Sequence, residues 1–245
     1  MNVYSAGVSD IGRVRATNQD AIYLNKKENV FLVADGMGGH SGGEMASTMA
    51  IKFIAEFFKK YQIDDPSAVK RAISEANNKI KKFADNDKSL HGMGTTIITL
   101  NFHEEHAYIG CVGDSRAYLI NRDQLFQLTR DHSMVQEKIN LGVYSREEAA
   151  ADPHKNVLSR TVGYDDTVEI DAFKYKCKKG DLFLLCSDGL HGKVSDEDII
   201  HIIKNNLDLE SLSDISVRNT VQELVTQAYE NGGQDNISVL VVAVQ

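Results

Sequence analysis

The sequence predicts an α+β fold in which helices pack on a core of two β-sheets. Short apolar runs recur along the 245 residues, two helical patterns follow the first runs, and two more precede the last one. The middle runs are separated by short polar turns, which favours antiparallel pairing. Because no Pro- or Ser-rich linker divides the chain, we expect one domain over residues 1–245.

In the first part of the chain, strands are predicted at residues 21–24 and 30–35, and the second is apolar enough to be covered on both faces. A helix is predicted over residues 44–61, where apolar side chains recur at every fourth position. Another helix should begin near Asp65, because Pro66 suits a first helical turn. The side chains expected to face the core from these helices are Met45, Met49, Phe53 and Phe57, beside Ala46, Ala50, Ile54 and Phe58, and in the second helix Val69, Ile73, Ala76, Ile80 and Phe83.

The rest of the chain continues with strands and ends with two helices and a strand. Strands are predicted at residues 95–102, 107–113, 116–122, 125–129, 168–175, 181–190 and 236–244. Helices are predicted at residues 195–205 and 214–229. The polar segment around residues 134–156 lacks core residues and should run over the surface. Ser145 and Glu148 have the spacing of a capping box, which indicates a brief helix there.

Composition narrows the class of protein. The net charge of −8 argues against a nucleic-acid binder that neutralises phosphates. The cysteines, Cys111, Cys177 and Cys186, are odd in number and show no CxxC spacing, which favours a reducing compartment over a disulfide framework. The N-terminus lacks the basic and apolar regions of a signal peptide, and no apolar run is long enough to span a bilayer. We therefore expect a cytoplasmic protein without membrane insertion.

Aspartates at the ends of apolar runs are the main chemical signal. They are Asp35 in "FLVADG", Asp114 in "GCVGDSR", Asp188 in "FLLCSDG" and Asp235 in "GGQDNIS". Any one of them could simply form a turn. Four at the ends of core strands would converge if the strands are neighbours, and like charges gather only where a cation neutralises them. Oxygen ligands with few histidines or thiols favour Mg²⁺ or Mn²⁺ over Zn²⁺.

The loop "VADGMGGHSGGE" at residues 33–44 contains five glycines and begins beside Asp35. It lacks the GK[ST] sequence of a P-loop, so it does not supply a lysine to phosphate. Gly36 has no side chain to shield its carbonyl, which could be a further oxygen ligand, and the later glycines let the chain turn into the helix near Gly43. The loop is predicted to hold a metal ion, and the ion to hold a phosphate.

Eight segments, in chain order, resemble motifs of the metal-dependent Ser/Thr protein phosphatases of the PP2C type in their compact bacterial form. They are "GRVRATNQD", "VADGMGGHSGGE", "GMGTT", "GDSRAYL", "LTRDHS", "LSRTVG", "CSDGL" and "GGQDNIS". The resemblance implies a four-layer α-β-β-α sandwich with two mainly antiparallel sheets flanked by helix pairs. It places a metal site at one end of the sandwich.

The resemblance also implies ligand roles for Mn²⁺ or Mg²⁺, with two ions and a possible third. Asp35 would bridge both ions. The carbonyl of Gly36 would bind one of them, and Asp188 and Asp235 the other. Asp114 matches the aspartate that, with Asp188, holds a third ion in bacterial members.

Other roles follow from the same resemblance. Arg15 matches the arginine that grips the substrate phosphate, and Asp20 would orient metal-bound water. Residues 134–156 match a mobile flap beside the site. Eukaryotic relatives have a histidine after the Asp–Gly pair, where this chain has Met37. His40 could therefore serve at the rim of the substrate site, or have no role.

The implied reaction is hydrolysis of phosphoserine and phosphothreonine in proteins, by a monomer whose partners are a Ser/Thr kinase and its substrates. One alternative is a catalytically inactive relative that acts as a binding module, but such a protein should have lost metal carboxylates that this chain retains. Another is a phosphatase of small phosphate esters, which only substrate assays would separate. A nucleic-acid phosphodiesterase fits poorly with the acidic balance and with the lack of an aromatic and basic stripe.

Overall fold

The computed structural model describes residues 2–39, 41–121, 124–208 and 211–245. Within these ranges two antiparallel sheets pack face to face, and helices cover both outer faces. The predicted four-layer α+β sandwich is therefore confirmed. No helix in these ranges is both long and apolar enough to cross a membrane.

The first sheet contains both ends of the chain. Its strands are β1 (Val3–Asp10), β7 (Arg116–Asn121), β8 (Gln124–Gln127), β10 (Leu182–Cys186) and β11 (Ile237–Val244). Their spatial order is β1-β11-β10-β7-β8, with every neighbouring pair antiparallel. The sequence prediction missed β1, because serines and a glycine interrupt its apolar residues. Pairing with β11 along its whole length fixes this strand.

The second sheet is built from the first and middle parts of the chain. Its strands are β2 (Asp20–Asn25), β3 (Val30–Met37), β4 (Gly94–Thr95), β5 (Ile97–His103), β6 (His106–Val112) and β9 (Asp171–Lys176). Their order is β2-β3-β5-β6-β9, and the short β4 pairs with the end of β3. The strand predicted at 168–175 begins only at Asp171, and the other predicted strands of this sheet lie where expected, within a few residues.

Alternation along β3 explains both its apolar sequence and the direction of its aspartate. Val30, Leu32 and Ala34 belong to the core under the helices, whereas Phe31 and Val33 belong to the core between the sheets. Because successive residues of a strand point to opposite faces, the side chain of residue 35 points, like Phe31 and Val33, toward the layer between the two sheets. Asp35 is thus the polar end of an otherwise apolar row.

Seven α-helices lie in the described ranges, and two pairs of them cover the outer faces of the sheets. The helices are α1 (Gly42–Lys60), α2 (Pro66–Asp85), α3 (Met134–Asn140), α4 (Arg146–Ala151), α5 (Asp188–His191), α6 (Asp196–Asn206) and α7 (Asp214–Glu230). The pair α1 and α2 covers the second sheet, and α6 and α7 cover the first. Asp65 caps α2 through the backbone N–H of Ser67 at 2.6 Å, as the position of Pro66 suggests.

Two details of the predicted helix faces are wrong. Met45 is 39% exposed and Phe83 is 45% exposed, so neither belongs to the core. In α1 the small Ala46 and Ala50 lie against the sheet and set the buried face, which places Met45 at its margin. A four-residue period identifies a helix but does not fix which side of the stripe is covered.

The segment predicted to run over the surface contains α3 and α4. Ser145 and Glu148 form the predicted capping box, with the Ser145 backbone N–H donating to the Glu148 carboxylate at 2.7 Å. A bridge between Ser133 and Leu158 closes the base of the segment. The strand predicted at 181–190 ends at Cys186, because the chain turns at Ser187 and Asp188 begins α5. All three cysteines are free thiols, with Cys111 and Cys186 buried.

Candidate metal and phosphate site

Five aspartates from both sheets meet at one end of the sandwich. Asp20 and Asp35 are opposite each other on the paired strands β2 and β3. Asp188 follows β10, Asp235 precedes β11, and Asp114 lies between β6 and β7. The pKa of Asp35 is raised well above its usual range, first by burial and then by repulsion from the other four carboxylates. The convergence predicted from the sequence is therefore present, with Asp20 added to it.

The same crowding affects the other carboxyl groups. Burial is the main cause that raises the pKa of Asp20 to about 6 and that of Asp114 to about 7, and Asp188 adds repulsion to both. The pKa of Asp188 is raised by burial and then by repulsion from Asp235. A fold does not gather this much like charge without a compensating cation. The arrangement thus indicates a cation site.

The donor atoms fit a hard divalent ion. Oδ1 of Asp20 and Oδ1 of Asp188 are buried and have no hydrogen-bond partner in the described chain. Unpartnered buried oxygens of this kind are costly, and Mg²⁺ or Mn²⁺ would satisfy them. In the described ranges no group of three His, Cys, Asp or Glu side chains is close enough together to hold a metal ion without rearrangement. Arg15 instead supplies positive charge at Asp235.

Backbone contacts from the "GMGTT" segment hold Asp35 in place. Its backbone N–H donates to Thr96 Oγ1 at 2.9 Å, and its carbonyl accepts from the Thr96 backbone N–H at 2.8 Å and from Thr95 Oγ1 at 2.9 Å. Thr96 Oγ1 also contacts Ser115 Oγ at 2.7 Å, next to Asp114. These threonines explain why the motif matters, although no pattern in a single sequence reveals their contact with Asp35.

Two glycines allow the aspartate loops to pack closely. A Cβ on Gly36 would lie 2.0 Å from the carbonyl oxygen of Gly43, and a Cβ on Gly189 would lie 1.9 Å from that of Asn236. Neither position can hold a side chain without moving backbone atoms. Gly36 therefore does more than leave its own carbonyl accessible. The close approaches bring the turn after Asp35 onto α1 and the turn after Asp188 onto the Asp235 turn.

Asn236 forms hydrogen bonds that hold the segment carrying Arg15 and Asp20 in place. Its Nδ2 donates to the carbonyls of Ile11 at 2.9 Å and Thr17 at 3.0 Å, and its Oδ1 accepts from the Gln19 backbone N–H at 2.8 Å. The positioning role of this asparagine was not predicted. Its place directly after Asp235 was the only signal.

Asp20 is itself tied to the other sheet. Its Oδ2 accepts from Ser187 Oγ at 2.7 Å, directly before Asp188. Ser187 is fully buried and its hydroxyl also accepts from the Ser238 backbone N–H at 3.0 Å. The Asp20 carboxyl group is thus oriented by the strand ends that carry Asp188 and Asp235.

Two histidines outside the predicted set hold the peptide that carries Asp114. His132 Nδ1 accepts from the Gly113 backbone N–H at 3.2 Å, and the His132 backbone N–H donates to the Gly113 carbonyl at 2.9 Å. The His191 ring Nε2 donates to the Asp114 carbonyl at 3.0 Å. Burial lowers the pKa of both rings, that of His191 to about 4, so both act as neutral groups.

Arg15 reaches the carboxylate cluster from the loop before β2. Its Nη2 lies 2.7 Å from Oδ2 of Asp235, and the side chain is 53% exposed. The hydrogen bond to Asp235 raises its pKa further above the usual range. The guanidinium has other N–H donors for a phosphate, which are fixed in one plane. The neighbouring Arg13 instead lies 5.3 Å from the ring centroid of Tyr229.

The residue after the Asp35–Gly36 pair cannot act as a general acid. Met37 follows the Asp35–Gly36 pair, and its sulfur accepts from Thr161 Oγ1 at 3.7 Å. A thioether has no proton to donate. His40 lies outside the described residues.

Comparison with known proteins agrees with this fold. Residues 12–228 match the family described as protein phosphatase 2C. The chain is 36% identical to the serine/threonine phosphatase stp of Listeria innocua, over 96% of this chain and 93% of that protein. The crystal structure of the Mycobacterium tuberculosis serine/threonine phosphatase PstP/Ppp is 31% identical, covers 100% of both chains and superposes with a TM-score of 0.91.

A further solved structure bears on the metal. It is the catalytic domain of the serine/threonine protein phosphatase PstP in complex with two manganese ions, which is 31% identical, covers 99% of both chains and has a TM-score of 0.84. The fold, the gathered carboxylates and these similarities define the class of protein. The chain belongs to the protein phosphatase 2C family.

Proposed function

We propose that this protein hydrolyses phosphoserine and phosphothreonine in other proteins with the help of divalent metal ions. The convergence of five crowded carboxyl groups at one end of the sandwich is the observation that carries the proposal. The names of the Listeria and Mycobacterium relatives support the substrate class, and the manganese in PstP supports the kind of metal.

The ligand roles in the proposal follow the family resemblance. Asp35, the Gly36 carbonyl, Asp188 and Asp235 would hold two Mn²⁺ or Mg²⁺ ions, with Asp35 shared by both, and Asp114 would hold a third ion together with Asp188. When bound, such ions lower the pKa of a bound water to make a nucleophile and neutralise charge that develops on the phosphoryl group.

Residues of the chain itself position the substrate. Arg15 binds two phosphate oxygens with its planar fork, which fixes the phosphoryl group for in-line attack. Asp20, oriented by Ser187, accepts hydrogen bonds from water at the edge of the cluster. The leaving alkoxide takes its proton from a solvent molecule or, in the alternative, from His40 at the substrate rim.

The cellular setting is part of the same proposal. The protein is one domain over residues 1–245, with a flap around residues 134–156, and works as a cytoplasmic monomer against a Ser/Thr kinase and its targets. Phosphoproteomics of a deletion strain tests this setting, because phosphorylation should rise on that kinase and its substrates. An unchanged phosphoproteome would contradict it.

The metal requirement is tested with p-nitrophenyl phosphate. EDTA should abolish hydrolysis and Mn²⁺ should restore it. Asp188→Ala and Asp235→Ala should each remove most turnover while circular dichroism shows a retained fold. Hydrolysis that persists in EDTA, or near-normal turnover in either variant, would contradict the ligand roles. A higher kcat/KM on small phosphate esters than on phosphopeptides would favour the small-ester alternative.

A further inference from the structure

Two cavities adjoin the carboxylate cluster, and their other lining residues differ in charge. One has a volume of about 570 Å³ and the other of about 660 Å³, and both are lined by Asp114, Asp188 and Asp235. A peptide whose phosphorylated residue lies at the cluster can therefore place the residues before it near one cavity and the residues after it near the other. The lining of each cavity then selects the neighbouring residues.

The first cavity carries excess positive charge outside the cluster. Arg146 and Lys155 from the flap and Lys193 after α5 line it. Arg146 and Lys155 are exposed and have no ion pair in the described chain, and Lys193 Nζ binds only the neutral side-chain oxygen of Gln234. Outside the cluster, Asp196 is the one described carboxylate of this lining that is not paired with an arginine.

The ion pair between Arg116 and Asp131, which also lines this cavity, contributes little net charge. Arg116 donates through Nε to Asp131 Oδ1 at 2.9 Å and through Nη2 to Oδ2 at 2.7 Å. This bidentate geometry satisfies both groups. Outside the cluster and this pair, three cations therefore face one carboxylate.

The second cavity has no such cations. Apart from Arg15, which belongs to the phosphate site, its lining in the described chain contains no Lys or Arg. Neutral side chains such as Met37, Leu158 and Tyr164 line it, together with Asp165. This side of the cluster offers an acidic residue no partner and adds one repulsive charge.

We infer that the protein prefers phosphopeptides with acidic residues on one side of the phosphorylated residue, and that Arg146 and Lys155 determine this preference. The inference rests on the proposed function, because it assumes that the phosphoryl group lies at the carboxylate cluster. Carboxylates of the substrate would enter the cavity beside the flap. The opposite side would accept neutral residues.

The test uses synthetic phosphothreonine peptides in three series, with neutral flanks, with Glu only before the phosphothreonine, and with Glu only after it. Phosphate release with Mn²⁺ gives kcat/KM for each. One Glu series should exceed the neutral series, by roughly two- to fivefold for each exposed ion pair. The advantage should shrink as salt is added, since such charges are screened. Equal values for all series, or equal gains on both sides, would overturn the inference.

Variants assign the preference to the two cations. In R146Q/K155Q the ratio of kcat/KM between the favoured Glu series and the neutral series should fall to about one, mainly through KM. The control K70Q/R218Q removes two exposed cations from α2 and α7, and should keep the wild-type ratio. In R146E/K155E, peptides with Lys in place of Glu should become the better substrates. If both variants kept the wild-type ratio of kcat/KM between the Glu series and the neutral series, the assignment of the preference to Arg146 and Lys155 would be overturned.

Each variant is judged by the ratio of its own kcat/KM values for two peptide series, so a variant that is less active on all peptides keeps the wild-type ratio. Hydrolysis of p-nitrophenyl phosphate separates the two proposals. If wild-type protein with Mn²⁺ hydrolyses this ester, and hydrolyses the three peptide series with the same kcat/KM as one another, the proposed function stands and the side preference fails. If it hydrolyses neither the ester nor any peptide, the proposed function fails, and this inference fails with it.

Discussion

At the residue scale, the site is a set of carboxyl groups held under electrostatic stress. Asp114 shows this most simply, because its pKa of about 7 follows from burial and from the charge of Asp188. Its backbone is fixed from both sides by His132 and His191, so it cannot move away from the repulsion. The stress is a property of the folded state only, and it should therefore appear in the stability of the protein.

Asp114→Asn should stabilise the metal-free protein at neutral pH. The folded pKa of about 7 lies above the ordinary value of 3.8, so the folded state retains a proton that the unfolded state has released between these pH values. Its ionisation therefore costs stability as pH rises through this window. Removing the charge should raise the free energy of unfolding above pH 7 by roughly 1–3 kcal/mol.

The gain should fade as pH falls toward 4, where Asp114 is protonated in both states. Urea denaturation in EDTA at several pH values measures it. Asp64→Asn removes an exposed charge far from the cluster and serves as the control. A pH-independent difference, or a loss of stability at pH 8, would contradict the electrostatic interpretation.

Arg15→Ala should raise KM for phosphopeptides more than it weakens Mn²⁺ binding. Arg15 touches the cluster through a single contact with Asp235, and its side chain is half exposed, so its loss leaves the carboxylates in place. Steady-state kinetics and calorimetric Mn²⁺ titration measure the two effects. Arg13→Ala, which removes a cation that stacks on Tyr229, is the matched control. A larger effect on metal affinity than on KM would remove Arg15 from the phosphate role.

At the element scale, the ends of strands and the turns after them place the functional groups. The turn after β3 can approach α1 only because residue 36 has no side chain, and β4 pairs with this same end of the strand. The bridge between Ser133 and Leu158 joins the ends of residues 134–156, the predicted flap, and the neighbouring His132 contacts the peptide that carries Asp114. Order at the site therefore depends on backbone packing between elements as much as on the aspartates.

Gly36→Ala should destabilise the protein by roughly 2–4 kcal/mol, because the new methyl group would overlap backbone atoms that cannot retreat. The overlapping atoms are the carbonyl oxygens of Gly43, at 2.0 Å, and Gln19, at 2.7 Å. Gly39→Ala lies in the same loop with nothing within 4 Å, and should change stability by less than about 0.5 kcal/mol. Thermal and urea denaturation compare them. Equal effects of the two substitutions would show that the close approach does not limit residue 36.

At the scale of the whole molecule, the packing of one sheet on the other assembles the site. Asp20 and Asp35 come from one sheet, whereas Asp188 and Asp235 come from the ends of strands in the other. The layer between the sheets contains a row of aromatic rings, with Phe183 at 5.5 Å from Phe102 by ring centroids. This layer fixes the spacing of the two halves of the site.

Phe183→Ala should therefore cost roughly 3–5 kcal/mol of unfolding free energy, the range for deleting a buried phenyl ring. Phe183 is fully buried, whereas Phe126 is 47% exposed at the edge strand β8. Phe126→Ala should cost less than about 1 kcal/mol. Urea unfolding of both variants measures the difference, and similar losses would contradict the central position of Phe183.

The class of fold, most of the elements and the candidate aspartates could be predicted from the residues alone. Apolar runs and helical periods are local, so β10, α2 and α7 could be placed from their own residues, and the turn residues beside Asp35, Asp188 and Asp235 marked strand ends. The α+β sandwich followed from their order. The flap, the roles of single ligands and the part played by His40 remain predictions.

Which residues meet depends on how the elements pack in three dimensions. The strand β1 exists because β11 pairs with it, and Met45 and Phe83 are exposed because the sheet covers other sides of their helices. Thr96, Asn236 and His132 position the site through contacts with residues 19 to 225 positions away in the chain. Hydrogen bonds of this kind depend on distances in space, and no period or spacing within a single chain encodes those distances.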